Sequence, residues 1–270
     1  MKINEITNLL KLGQFENPAQ IIKILHAIKD AYMVPSLILA KGTCLYRARI
    51  VDNVDEICNP SSLSYTPPRN NNSYKRASTP NNTMFYGISG DTHTNMVCGC
   101  LGEVCDCLRD NIGTTKHYVV AIGVWEAKRD FILPQIINPD GLNKSEAFGN
   151  ISEYQQHLSC LGERASDVED FQRLINHEFT KRVKREEEYW ISAVFTEWVL
   201  SLNNSFDGII YESVQSTDSK LINNHCVALK PQVADNDLLF KGGLIYEFDY
   251  TFGNEVGPYL TQTINFSLEK

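Results

Sequence analysis

The sequence predicts an α+β protein, a mixed β core flanked by helices and preceded by a helical extension. Three observations carry this. Five short segments, 43–50, 83–88, 116–125, 208–213 and 224–230, are apolar or alternate with the two-residue period of a strand. Longer segments between them repeat apolar residues every three or four positions, the period of a helix face. Hydrophobic residues make up 43% and charged residues 21% of the 270, which suits one large soluble domain with appendages.

In chain order, Ile3, Ile6, Leu9 and Leu10, then Ile21, Ile22, Leu25 and Ile28, recur at helical spacing with a break at 13–18. They predict a two-helix extension over 1–36. Residues 43–50 form a strand with Tyr46 and Arg47 near its centre. Residues 59–82 are rich in Asn, Pro and Ser, and a polar loop of that length is usually functional or mobile. A strand over 83–88, a turn at Gly90-Asp91 and a helix over 94–110 carrying Glu103 come next. Residues 116–125 read as a strand buried on both faces, and 133–160 as irregular. A helix over 166–184 sets Val168, Phe171, Ile175, Phe179 and Val183 on one stripe. Another over 187–202 turns Trp190, Val194, Phe195 and Trp198 to a core. An Asp207-Gly208 turn enters the 208–213 strand; after a polar loop at 214–223 comes the 224–230 strand. Beyond 236, only 244–248 has strand character. The predicted division is an extension at 1–36, a main domain at 41–235 and a C-terminal extension at 236–270 packed on it.

Charge narrows the function. A formal net charge of −8 gives no sign of a general nucleic-acid binder. Within 41–80, however, Lys41, Arg47, Arg49, Arg69, Lys75 and Arg76 outnumber Asp52, Asp55 and Glu56. Such a local surplus suits a small phosphorylated ligand, or is a set of solvated loop charges. Lys2, Glu5 and Lys11 leave no room for a secretory signal, and the uncharged stretch 31–40 is too short to span a bilayer. The expectation is a cytoplasmic protein with no membrane partner. Of eight cysteines, Cys98, Cys100, Cys105 and Cys107 fall on the predicted helix. Their sulfurs occupy different flanks, poorly placed to surround one ion, so no metal site is expected. They read as small core residues in a reducing compartment. His177-Glu178 starts like a zinc-protease motif, but Lys181 stands where its second His would be.

The stretch from Phe206 to Ser213 ends an apolar run in a hydroxyl. Together with Leu45-Tyr46-Arg47 and the span from Arg76 to Glu103, it assembles arginines, an aromatic residue, a carboxylate and a serine. In this order the pieces resemble the RES domain family, named for an Arg, a Glu and a Ser. Leu45-Tyr46-Arg47 looks like its opening strand. Arg76-Ala77-Ser78 and Met84-Phe85-Tyr86-Gly87 are similar to its second arginine and the strand ending in tyrosine. Glu103 matches the glutamate of the following helix. Asp207-Gly208-Ile209-Ile210-Tyr211-Glu212-Ser213 resembles D-G-I-x-Y-x-S, and Asn224 with Val227 to Pro231 resembles the closing N-x-x-x-L-x-P strand. Tyr86 and Glu103 stand seventeen apart, longer than the family spacing. Either the turn around Gly90 to Asn95 is extended or Glu103 is not the counterpart.

The resemblance implies an ADP-ribosyltransferase-like fold and a catalytic domain over 41–235. It also implies an NAD-degrading toxin of a toxin–antitoxin pair, with a cognate antitoxin protein as partner. NAD would be substrate and no cofactor is implied. Cleaving its nicotinamide–ribose bond builds positive charge on the ribose. Glu103, Arg47 and Ser213 are the implied catalytic residues, with Tyr46, Arg76, Tyr86 and Asn224 binding NAD. Arginine forks suit the pyrophosphate, a carboxylate suits the ribosyl cation, and Tyr86 suits stacking on nicotinamide. Ser213 is not read as a nucleophile, since no Ser-His-acid arrangement and no G-x-S-x-G surround it. The acceptor is water or inorganic phosphate. The alternatives are ADP-ribosyl transfer to a protein, or a nucleotide-binding module without turnover. The terminal extensions could serve a homo-oligomer or the antitoxin.

Overall fold

The structure is a computed structural model. It describes residues 22, 25, 26, 34–105, 115–139, 151–162, 165–183, 185–213, 224–250 and 259–264, with backbone alone for 151–153, 167 and 259–264. In chain order its elements are β1 (Ser36–Leu39), β2 (Cys44–Ile50), β3 (Phe85–Gly90), α1 (His93–Val104), β4 (Lys116–Ala127), β5 (Phe131–Pro134), α2 (Ile151–Cys160), α3 (Ala165–Thr180), α4 (Trp190–Leu202), β6 (Gly208–Glu212), β7 (Asn224–Leu229), α5 (Pro231–Asp237), β8 (Leu238–Tyr250) and β9 (Tyr259–Ile264). The mixture of helices and antiparallel strands makes this an α+β protein. The chain forms two compact units. One comprises Met1–Leu39, Pro67–Met84 and Phe131–Glu212; the other comprises Ala40–Thr66, Phe85–Asp130 and Ser213–Lys270.

In the first unit, β1 and β5 form an antiparallel ribbon with Ile38 opposite Ile132. The stripe of α3 behaves as its period requires: Val168, Phe171, Ile175 and Phe179 are buried. Phe195 of α4 meets both Phe171 and Phe179 at 6.2 Å between ring centroids. Phe179 also lies 5.0 Å from the ring of Tyr211 on β6. Asp207 is buried, and its carboxylate accepts the Ile132 N–H at 2.9 Å. The predicted Asp207-Gly208 turn is therefore displaced: the chain turns at Asn204-Ser205, and Asp207 stitches β6 to β5.

In the second unit the strands are hydrogen-bonded in the order β7-β3-β2-β4-β8-β9, all antiparallel. Their pairing is uneven. β2 pairs with β4 from Cys44 opposite Glu126 to Ile50 opposite Val120, and β3 pairs with β7 along its whole length. β2 and β3 meet only at Tyr46 opposite Ile88. Helix α1 covers the face carrying Ile88; on the other face Trp125 packs against Phe85 at 5.7 Å and Phe240 at 5.0 Å.

Five predicted strands and both later helices appear with ends shifted by a few residues, as fraying ends and caps allow. Other expectations are corrected. Helix α1 stops at Val104, capped by Cys105, rather than continuing toward 110. The segment read as irregular, 133–160, holds the end of β5 and helix α2. Strand β8 runs from Leu238 to Tyr250, far beyond 244–248, because Gly242 and Gly243 look like a break in sequence yet lie inside the strand. Gly242 takes φ 144°, a conformation that side-chain-bearing residues rarely adopt. Most of the predicted N-terminal extension, the 214–223 loop and Cys107 lie outside the described residues. Among the described residues no helix is long and apolar enough to cross a membrane.

Candidate functional site

Glu103 sits in the last turn of α1. The negative end of the helix dipole opposes a carboxylate there by about 0.3–1 kcal/mol, so its position needs compensation. Two donors supply it. The Ser213 hydroxyl donates to Glu103 Oε1 at 2.8 Å, and the Cys226 thiol donates to the same oxygen at 3.6 Å. Ser213 and Cys226 are buried, whereas Glu103 is half-buried. The long interval from Tyr86 to Glu103 involves no extended turn. Strand β3 continues to Gly90, Asp91-Thr92 make the connection, and α1 then brings Glu103 around in about three turns.

Asn224 holds the other end of the helix. Its Nδ2 donates to the Asn95 carbonyl at 2.6 Å, and it lies directly against Gly99. A Cβ at Gly99 would overlap the Asn224 amide, so glycine is what lets strand β7 reach the helix backbone. Asn224 and Cys226, two apart on one strand, thus share a face and secure opposite ends of α1. Thr92 caps the helix start, its hydroxyl accepting the Asn95 N–H at 3.1 Å.

Tyr46 turns toward the same helix. Its hydroxyl is 2.7 Å from His93 Nδ1, with the two rings edge to face. Arg47, the next residue, projects to the opposite face by the pleat of the strand. There its Nε donates to the Ser64 carbonyl at 2.7 Å and its Nη1 to the Tyr86 carbonyl at 2.9 Å. The guanidinium lies 5.7 Å from the Phe85 ring centroid. β2 and β3 form no register pair beyond Tyr46, and the Arg47 side chain bonds across to β3 there at the Tyr86 carbonyl. No carboxylate among the described residues pairs with it. Burial lowers its pKa to about 10, with Tyr86 and Cys100 acting the other way. Arg47 as a whole is half-buried. Cys100, buried on α1, is within electrostatic reach of both Glu103 and Arg47; burial, the larger effect, pushes its thiol pKa well up. Tyr86 is half-buried.

Arg76 belongs to the first unit and is engaged there. Its guanidinium donates to the carbonyls of Phe179 and Lys181 at the end of α3 and to the Tyr189 hydroxyl, stacked 4.7 Å from that ring. This is a helix-terminus cap built by a distant side chain. Of the residues singled out in the sequence, the second unit therefore brings Glu103 and Ser213 into direct contact. It sets Asn224 and Tyr46 against the same helix and Arg47 beside Tyr86.

Sequence reasoning missed Cys226, Gly99 and the partnership of His93. The first was accessible: Cys226 follows Asn224 by one strand period. Burial lowers the His225 pKa to about 4, so this residue is neutral near pH 7. Among the described residues no group of three or more His, Cys, Asp or Glu is arranged to hold a metal ion. No protein-family model matches this chain, and no curated protein matches it.

Proposed function

We propose that this protein cleaves the nicotinamide–ribose bond of NAD, with an ADP-ribosyltransferase-like arrangement of α1 on an antiparallel sheet. The observation that carries the reading is the Glu103–Ser213 hydrogen bond at 2.8 Å, between residues 110 positions apart. A carboxylate set against a helix dipole and held by a buried hydroxyl is a local conflict of the kind that accompanies function. Arg47 adds a second support: a desolvated guanidinium with no carboxylate partner among the described residues, suited to a phosphate.

In this reading the dinucleotide lies at the opening between β2 and β3. Arg47 keeps its two carbonyl bonds and turns its remaining N–H donors to the pyrophosphate, so that binding there orients the ribose. Tyr86 stacks on the nicotinamide. The C1–N bond breaks with its electron pair passing to the nicotinamide nitrogen, which becomes neutral. Positive charge spreads over C1 and the ring oxygen, and the Glu103 carboxylate stabilises it through a ribose hydroxyl. Water then forms the new C–O bond and releases one proton, giving ADP-ribose; inorganic phosphate in the same place gives its 1-phosphate. Ser213 orients Glu103 and forms no covalent bond. Arg76 is not used, since its donors cap α3. The family likeness extends the reading to a toxin restrained by an antitoxin that covers this opening.

The test is incubation of purified protein with NAD, with and without inorganic phosphate, beside Glu103→Ala, followed by mass spectrometry. Nicotinamide is expected from the wild type, and at least a hundredfold less from the variant. ADP-ribose or its phosphate names the acceptor, and an ADP-ribose mass on a protein would redirect the reading to transfer. Intact NAD throughout, from folded protein, overturns it in favour of a binding module.

A further inference from the structure

We propose that Cys226 is a positioning residue for Glu103, its thiol and the Ser213 hydroxyl holding one carboxylate oxygen so that the other is presented to ligand. The inference rests on the NAD-cleaving reading for its kinetic consequence but on geometry for the contact itself. Both donors converge on Oε1, at 2.8 Å from Ser213 and 3.6 Å from Cys226. Oε2 accepts no hydrogen bond from any described residue. One donor leaves a carboxylate free to swing about that contact, whereas two donors from different segments fix its plane. A thiol is a weak donor, but here it meets an anion, the acceptor that strengthens it most.

The position of Cys226 is itself over-determined. It stands opposite Ile88 in the β3–β7 ladder, and Asn224, one strand period earlier, is bonded to the Asn95 carbonyl. Strand β7 therefore grips α1 at two points, and the second of these is the catalytic carboxylate. Glu103 is half-exposed although both of its donors are buried, which is what a side chain anchored by one oxygen and offered by the other requires.

Two measurements test it. The first is steady-state nicotinamide release by wild type, Cys226→Ala and Cys226→Ser. Loss of the donor is expected to lower kcat about 3- to 10-fold with KM for NAD unchanged, and serine, a better donor of similar size, to restore most of it. Unchanged kcat in Cys226→Ala, or no restoration by serine in a folded protein, overturns the positioning role. The second is the infrared S–H stretch, assigned to Cys226 by its disappearance in Cys226→Ala. It is expected to rise in wavenumber in Glu103→Ala, as the thiol loses its anionic acceptor; an unmoved band overturns the contact. This second readout needs no turnover. A wild type that leaves NAD intact would therefore refute the proposed reaction while the infrared band still decides the Cys226–Glu103 pairing.

Discussion

Arg47 spends two of its donors on backbone carbonyls, and this decides how its substitution reads out. Alanine at 47 removes the proposed phosphate contact and also the guanidinium bonds to the Ser64 and Tyr86 carbonyls. We expect Arg47→Ala to cost about 2–4 kcal/mol in transition-state binding, roughly 30- to 1000-fold in kcat/KM. Denaturant unfolding should show a further loss of about 1–3 kcal/mol of stability. Arg47→Lys is expected to recover only part of the activity, because an ammonium cannot span both carbonyls and a phosphate. Near-normal turnover in Arg47→Ala would remove it from the site. At this scale residue type and order single out candidates but say little about their partners. Tyr46, Arg47, Glu103 and Ser213 could all be singled out from residue type and order. That Ser213 serves Glu103, or that Tyr46 meets His93, depends on side-chain directions fixed only by packing.

Helix α1 is positioned by what its middle lacks. Gly99 has no side chain, so Asn224 can reach the Asn95 carbonyl and draw the helix onto β7. Gly99→Ala is expected to expel the Asn224 amide and destabilise the fold by about 1–2 kcal/mol, despite the better helix propensity of alanine. Adding Asn224→Ala in that background should cost little more, and equilibrium unfolding of the two single variants and the double variant measures this coupling. Additive losses would show that the two residues act separately. The elements most legible in sequence were those with a long, clean period, such as α3, whose Val168, Phe171, Ile175 and Phe179 are buried as expected, although Val183, expected with them, lies beyond the helix and is half-buried. Those that escaped had little pattern to offer. β1 and β5 are four residues each, α2 buries only Tyr154 and Leu158 among its described side chains, and β8 is interrupted by two glycines. The early stop of α1 at Cys105 has no capping glycine or proline to announce it.

At the scale of the molecule, the chain threads between its two units several times, and the candidate residues divide unevenly. Arg47, Tyr86, Glu103, Ser213 and Asn224 belong to the second unit, Arg76 to the first. Because its guanidinium donates to the carbonyls ending α3, Arg76→Ala should act as a stability change. We expect a loss of about 1–3 kcal/mol as the carbonyls ending α3 lose their cap, with KM for NAD unmoved. A tenfold rise in KM at constant unfolding midpoint would return Arg76 to the ligand. Sequence alone grouped both arginines because they are close in order and alike in charge; their different partners, the carbonyls ending α3 for Arg76 and those of Ser64 and Tyr86 for Arg47, come only from the fold. The pairing of the second unit's sheet has a mechanical consequence. With one register pair joining β2 to β3, the sheet is two panels, β7-β3 and β2-β4-β8-β9, sewn by a single stitch at Tyr46–Ile88. Each panel keeps its own ladder if that register pair is lost, so the seam is carried mainly by side chains: Arg47 reaching the Tyr86 carbonyl, and helix α1, held by Tyr46 on one panel and by Asn224 on the other.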